Sequence, residues 1–557
     1  MLNKRVLNDV HHLVLNSVIR FGTVGFNMAA GGFSNLRFGY VMVLICCSMA
    51  IMAQPSGKQI EDMIDESREL RALMQADPHR PIYHFVNPEG HAMPFDPNGA
   101  IYWNGKYHLG YIYQSRKRGK SEHVWGHAVS TDLLHWSLYP DMLNVQDGDI
   151  EKGIFSGGAF LSKDSVPHIM YHGEGSSSNL VAFSTDPDLK VWKKFDGNPV
   201  LKTETVGNPR DPKGGKYTAW DPEGWYDKKS GNYYQISGGN VAGFFKSKDM
   251  YKWEYLGDLI DPKNTMRDAT EDLSCPDMFT IGGKSVLLFI SHNIGTQYYI
   301  GDFANDKFSV QKHGRMNWPG GTFFAPEQLV DNKGRNIIWG WVLERKPKHL
   351  KNFGWSGIMS LPRVLTLSKQ NDMLINPPAE VKSLRTTSVK ETIKQVTGGK
   401  ENFIKSAGTS VEIELELAGS AKSAYGVKVF CSPDGREETV IRYDPVAKEL
   451  IIDFEKSAVS GPVKMPSHVI TEPTLPGFPP TVSQQRAPFE LKAGETLKLN
   501  IFLDRSIIEV FANGRQVITQ VVYPELTSSN QIKLFSEKDL LTVKKLQVWQ
   551  MAETNAY

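Results

Sequence analysis

The chain has 557 residues, too many for one hydrophobic core, so two domains with flanking segments are expected. Charged residues make up 22% and the formal net charge is +2, which excludes the basic field that nucleic-acid binding requires. The four cysteines imply no disulfide framework, and the 11% of aromatic residues with 49 Gly and 31 Pro favour many short strands and turns.

The first element is an address. Arg37 precedes the apolar run Tyr40–Ala53, which is the length of a signal-peptide core and short for a spanning helix. Small residues at Ser48, Ala50 and Ala53 offer cleavage points, while Cys46 before Cys47 fits a lipoprotein signal poorly. Residues 1–53 are therefore expected to direct export, with a true start downstream of Met1 and no membrane span once the signal is removed. Residues 54–79 form an extension in which Gln59–Gln75 has the charge and spacing of a short amphipathic helix.

The next stretch carries the chemistry. Met93-Pro-Phe-Asp96-Pro-Asn98-Gly99 sets a carboxylate between rigid and turn-forming residues, and AIYWNGKYHLGYIYQ after it reads as a hairpin turning at Asn104-Gly105. An isolated Asp in such a turn caps its own backbone. Here, however, a repeat follows. Ser130-Thr-Asp132 leading to Trp136 recurs as Ser184-Thr-Asp186 leading to Trp192 and as Ser247-Lys-Asp249 leading to Trp253, each between strand-like runs. A sheet of four strands repeating every 50 to 60 residues or so is the signature of a propeller blade, and residues 80–368 have room for five. These three Trp residues are best read as packing between strands. Residues 369–399 read as a Pro-interrupted linker, and 400–552 as alternating strands of a β-sandwich with a long Pro-rich loop at Pro473–Pro488. The expected fold is all-β: a five-bladed β-propeller followed by a C-terminal β-sandwich.

The ordered motifs MPFDPNG, WGHAVSTDLLHW (Trp125–Trp136), Gly153-Ile-Phe-Ser-Gly-Gly158, Trp220-Asp-Pro222, Ser274-Cys-Pro-Asp277, Phe324-Ala-Pro-Glu327 and Trp355–Arg363 resemble glycoside hydrolase family 32, the invertase, inulinase and levanase group. The resemblance extends to IFLDRSIIEVFANGRQVITQVVYP at Ile501–Pro524 and covers about His84 to Gln550. It implies the same propeller and sandwich, a carbohydrate partner (a fructoside) and no cofactor. No His spacing suggests a metal site.

Cleavage with retention needs a carboxylate nucleophile and a carboxylic acid whose environments push their pKa values apart. By resemblance Asp96 is the nucleophile, and Asp221 holds sugar hydroxyls and favours the oxocarbenium-like transition state. Trp220 stands where the family pattern has Arg. The second Arg-Asp-Pro, at Arg210–Pro212, lacks the hairpin that should follow the motif. The acid departs from the pattern: Glu-Cys-Pro-Asp is here Ser274-Cys-Pro-Asp277, and serine is no acid. Glu271 is the expected replacement, provided a β-bulge restores its direction. Asp272, with the right parity and a shorter arm, and Glu223 are further carboxylates, and a chain with no acid at all is the remaining alternative. Asn98, Gln114, Trp125, Phe155 and Ser156 match positions that line the fructosyl pocket, with blade packing the competing role for Trp125. The competing functions are a fructan-binding protein that has lost its acid and a fructosyltransferase.

Overall fold

Five antiparallel sheets follow one another along the first two thirds of the protein in the computed structural model, which describes residues 56–555 except 89, 210, 261–270 and 467–480. The proposed leader lies outside the described residues, as do Arg210 and half of the Pro-rich loop. Packing divides the chain into residues 1–68 and 69–557. A helix spans Gly57–Gln75 and starts in a capping box, the Gln59 amide donating to Ser56 Oγ and the Ser56 amide to Gln59 Oε1. All the sheets belong to the second unit.

The first sheet holds Pro97–Trp103, Lys106–Ser115, Glu122–Ser130 and Trp136–Leu143, in that order. Its opening hairpin turns at Asn104 and Gly105, whose φ values of 45° and 80° give the left-handed pair that a two-residue hairpin demands. The second begins with Gly153–Leu161, the third with Pro222–Asp227, the fourth with Ser274–Ile281 and the fifth with Phe323–Val330. Each of these first strands contacts the next, and the fifth returns to the first, so they form a closed cycle. An apolar cluster fills every gap between neighbours. Ile112 and Trp125 meet Ile154 and Tyr171, Phe160 and Met170 meet Tyr233, and Tyr234 and Phe244 meet Leu287 and Phe289. Val286 and Ile300 meet Phe323 and Ile338, and Trp339 and Trp341 close the cycle on Tyr111 and Leu109. At about 1.5–3 kcal/mol for each fully buried large side chain, these clusters hold the sheets together.

The repeated Ser-x-Asp turns close the third strand onto the fourth. Ser130 Oγ accepts the Asp132 amide, while Asp132 Oδ1 accepts the Leu134 and His135 amides. The same bonding recurs at Ser184–Asp186 and Ser247–Asp249. The stretch 369–399 supplies the last strand of the fifth sheet, Met373–Asn376, a 3-10 turn at Ala379–Leu384, and the edge strand Arg385–Lys390 of the next layer.

Beyond it, a sheet of seven strands and one of six share a single hydrophobic core, with Val411, Ile413 and Leu415 from one facing Val427, Ile441 and Ile452 from the other. A buried charge network ties this part to the five sheets. Arg363 Nη2 of the fifth sheet donates to Glu509 Oε1 at 2.7 Å and to Thr519 Oγ1 at 2.6 Å. Its guanidinium lies over the Phe323 ring, 3.7 Å from the centroid. His84 Nδ1 meets Asp504 Oδ2 at 2.9 Å, and the amides of Ile82, Tyr83 and His84 all donate to the Asp504 carboxylate.

Candidate active site

Side chains from different sheets converge where the first strands begin, because the backbone is bent there. Four first strands slip register near their starts, between Asn98 and Ile101, Ile154 and Gly157, Ser274 and Asp277, and Phe324 and Glu327. Bulges of this kind re-aim side chains beside active sites. Left-handed φ values accompany two of them, 45° at Cys275 and 42° at Ala325, and Asp221, before the first strand of the third sheet, has a φ of 36°. A non-glycine residue in that region costs on the order of 1–3 kcal/mol, so the surrounding packing must impose it.

Asp96 precedes the first strand of the first sheet and is 9% exposed. Ser156 Oγ, from the second sheet, donates to its Oδ2 at 3.0 Å, and Oδ1 has no hydrogen-bond partner among the described residues. Burial pushes the Asp96 carboxyl up to about 6, against the pull of the Ser156 hydroxyl and of charge on His292 and His123. Asp221 precedes the first strand of the third sheet, and its Oδ2 accepts the Cys275 amide at 3.2 Å. Burial pushes it up to about 7, with His292 opposing and Asp96 adding to the shift. The two carboxyls thus share one electrostatic environment, with Ser156, Cys275 and His292 around them.

The other expected residues divide between this site and its supports. Asn98 uses both ends of its amide on backbone, Nδ2 donating to Asp96 O and Oδ1 accepting the Gly157 amide. Gln114 does the same with Met93, its Oε1 accepting the amide and its Nε2 donating to the carbonyl. Both therefore shape the loop that presents Asp96. Trp125 is 0% exposed, its Nε1 donating to Phe155 O, an arrangement that fits the packing role of the two expected for it. Phe155 is half-buried and sits with His123, His172 and Trp220 in an aromatic wall, with ring centroids 4.7, 6.4 and 6.1 Å from its own. Phe155, His172 and Trp220 border a cavity of about 480 Å³.

Glu271 is buried. Its Oε1 accepts from Gln297 Nε2 at 2.7 Å, and Gln297 belongs to Gly295–Ala304, the third strand of the fourth sheet. The bulge that would have turned Glu271 inward falls instead at Cys275 and Pro276, after the residue it was needed for. Ser274 is buried and donates to Asp272 Oδ2 at 2.7 Å. Glu223 faces Asp277 and Glu327, a buried trio in which burial raises every carboxyl well above its usual range. His292 was not singled out as a site residue, because a lone His in LLFISHN carries no spacing signal; only its partner Asp272 was. No group of three or more His, Cys, Asp or Glu among the described residues is arranged to hold a metal.

Two buried carboxyls at the mouths of the first strands of the first and third sheets, with the second sheet's Ser156 and an aromatic wall beside them, form a carboxylate site with the residue types that glycosidic cleavage uses. Residues 84–378 match the Glycosyl hydrolases family 32 N-terminal domain and residues 380–550 match the Glycosyl hydrolases family 32 C terminal. The chain belongs to glycosyl hydrolase family 32 and is a glycoside hydrolase. It is 28% identical to a levanase of Bacillus subtilis (strain 168) over 84% of this chain and 70% of that one. It is also 28% identical to a fructan 6-exohydrolase of Beta vulgaris over 85% of this chain and 87% of that one. Among solved structures, fructan 1-exohydrolase IIa of Cichorium intybus superposes with a TM-score of 0.72 at 22% identity, covering 86% of this chain and 98% of that one. These likenesses support hydrolysis of fructosides in general.

Proposed function

We propose that the protein is an exported retaining hydrolase that releases fructose from β-D-fructofuranosides (sucrose, fructo-oligosaccharides, inulin or levan) by double displacement. The observation that carries this reading is the Asp96–Asp221 pair, two buried carboxyls, the first adding to the upward shift of the second, beside a polar and aromatic wall. In this reading the five sheets are the blades of a propeller over residues 80–368 and residues 400–552 are a β-sandwich. The closed cycle of first strands supports the first assignment and the shared core of two sheets the second. The run Tyr40–Ala53 supports export. No helix among the described residues is long and apolar enough to cross a membrane.

Asp96, ionised, attacks the anomeric C2, and the fructosyl unit is held as an ester until water displaces it. Asp221, bent toward the site by its left-handed backbone, bonds sugar hydroxyls and stabilises the positive charge that develops on the ring. Phe155 and Trp220 cover the apolar side of the sugar. Fructose release from sucrose, inulin and levan by the purified protein tests the reading.

Two further results are expected. Because Asp96 must be ionised and burial holds it at about 6, kcat/KM should fall as pH drops through that value. Beside burial, the groups that set this limb are Ser156, His292 and His123. Ser156→Ala removes a hydrogen bond to the charged form and should move the limb up by about one pH unit, read from the profile on one substrate. A second reading, a fructan-binding protein, is favoured by the buried Ser274 at the position of the acid. It predicts fructan binding with no fructose released.

A further inference from the structure

We propose that His292, positioned by Asp272, is the general acid and base of this enzyme, in place of the carboxylic acid absent at position 274. The inference rests on the reading of the site as a fructoside hydrolase.

His292 occupies the turn between the second and third strands of the fourth sheet, at the end where Ser274 begins the first. One carboxylate fixes it twice: the His292 amide donates to Asp272 Oδ1 at 2.9 Å, and Nδ1 meets Oδ2 at 2.6 Å. With Nδ1 so engaged, Nε2 is the ring nitrogen left to work, and it has no hydrogen-bond partner among the described residues. The side chain is 18% exposed, packed edge-on against Phe324. Ser274, the residue that breaks the acid pattern, donates to the same Asp272 Oδ2 at 2.7 Å. The serine is therefore part of the support for the pair. Protonated His292 also lowers the pKa of both Asp96 and Asp221, which places its charge within range of both.

An imidazole suits both halves of the reaction because it changes charge near neutral pH. In the first, Asp96 forms a bond to C2, and the electron pair of the C2–O bond goes to the leaving oxygen, which takes the proton from Nε2. Water then attacks C2 and gives a proton to Nε2, while the C2–O bond to Asp96 breaks and returns its electron pair to the carboxylate. Fructose leaves, and both residues regain their starting charges. Asp272 stabilises the imidazolium and fixes its direction, as a carboxylate does for a catalytic His elsewhere.

The test compares the full chain with His292→Asn and Asp272→Asn on two leaving groups. One is the natural substrate among sucrose, inulin and levan, and the other a fructoside carrying p-nitrophenolate, which departs without a proton. The expected result for His292→Asn is a loss of about 10²–10⁴ in kcat on the natural substrate, the usual worth of a general acid, with the activated fructoside largely spared. Its turnover also reports that the variant is folded. Asp272→Asn should lower kcat on the natural substrate with KM kept and show the same selectivity. Equal losses on both substrates, no loss on either, or a leaving-group-selective loss in Glu271→Gln would overturn the pair while leaving the hydrolase reading intact. A wild type that releases no fructose from any of the three substrates overturns that reading, and the pair with it.

Discussion

Asp96→Asn is expected to remove fructose release almost entirely, by on the order of 10⁵-fold in kcat, the scale seen when a nucleophile acting as one unit with its partners is lost. An amide of the same shape can still accept the Ser156 hydroxyl but cannot attack C2, so binding should survive while turnover does not. The same substitution should stabilise the fold. A carboxyl raised by burial from 3.8 to about 6 favours the folded state most below the lower value, and that advantage is lost as pH rises to the upper one. At pH 7 the penalty is on the order of 2–3 kcal/mol, and Asn does not carry it. Activity and melting temperature should therefore move in opposite directions, which a misfolded variant would not do.

Arg363→Met should be the most damaging single change to stability, about 3–5 kcal/mol, because it leaves Glu509 charged and buried with its main partner gone. Both side chains are 0% exposed. Burial alone would favour the neutral acid, yet Arg363 and then His84 hold Glu509 down to about 2. Burial likewise opposes the charge on His84, but the hydrogen bond to Asp504 and the Glu509 carboxylate 3.7 Å from Nε2 lift it to about 9. The signs differ. The Glu509 contribution is present above 4.5 and lost as pH falls toward 2, whereas that of His84 is complete below 6.5 and lost as pH rises to 9. Denaturant titration at neutral pH measures the loss. A shift of under 1 kcal/mol would show that the network is not what joins the five sheets to the layers beyond them.

Much of this was legible in the residues themselves. The Ser-x-Asp turns announced themselves because their bonding is local, each Asp closing on amides only a few residues away. The Asn104-Gly105 hairpin was readable for the same reason. The family resemblance was borne out by both matched domains. What sequence could not supply was direction. Glu271 was expected inward on the strength of a bulge, and the bulge lies at Cys275, whose amide donates to Asp221. Trp125 fits a sugar subsite and a sheet interface equally well until its burial is known. His292 and Asp272 are 20 positions apart and meet only because the second strand returns to the start of the first. The Arg363–Glu509 pair spans 146 positions and two layers of the molecule, beyond the reach of any local pattern.

Fructose release from sucrose, inulin and levan by wild type and Asp96→Asn side by side is the most direct measurement of whether Asp96 carries the fructosyl unit to water. Release by wild type from at least one of the three, with the variant near background and still folded, is the predicted result. Release by the variant at a rate close to wild type, or none by wild type despite bound fructan, would contradict it.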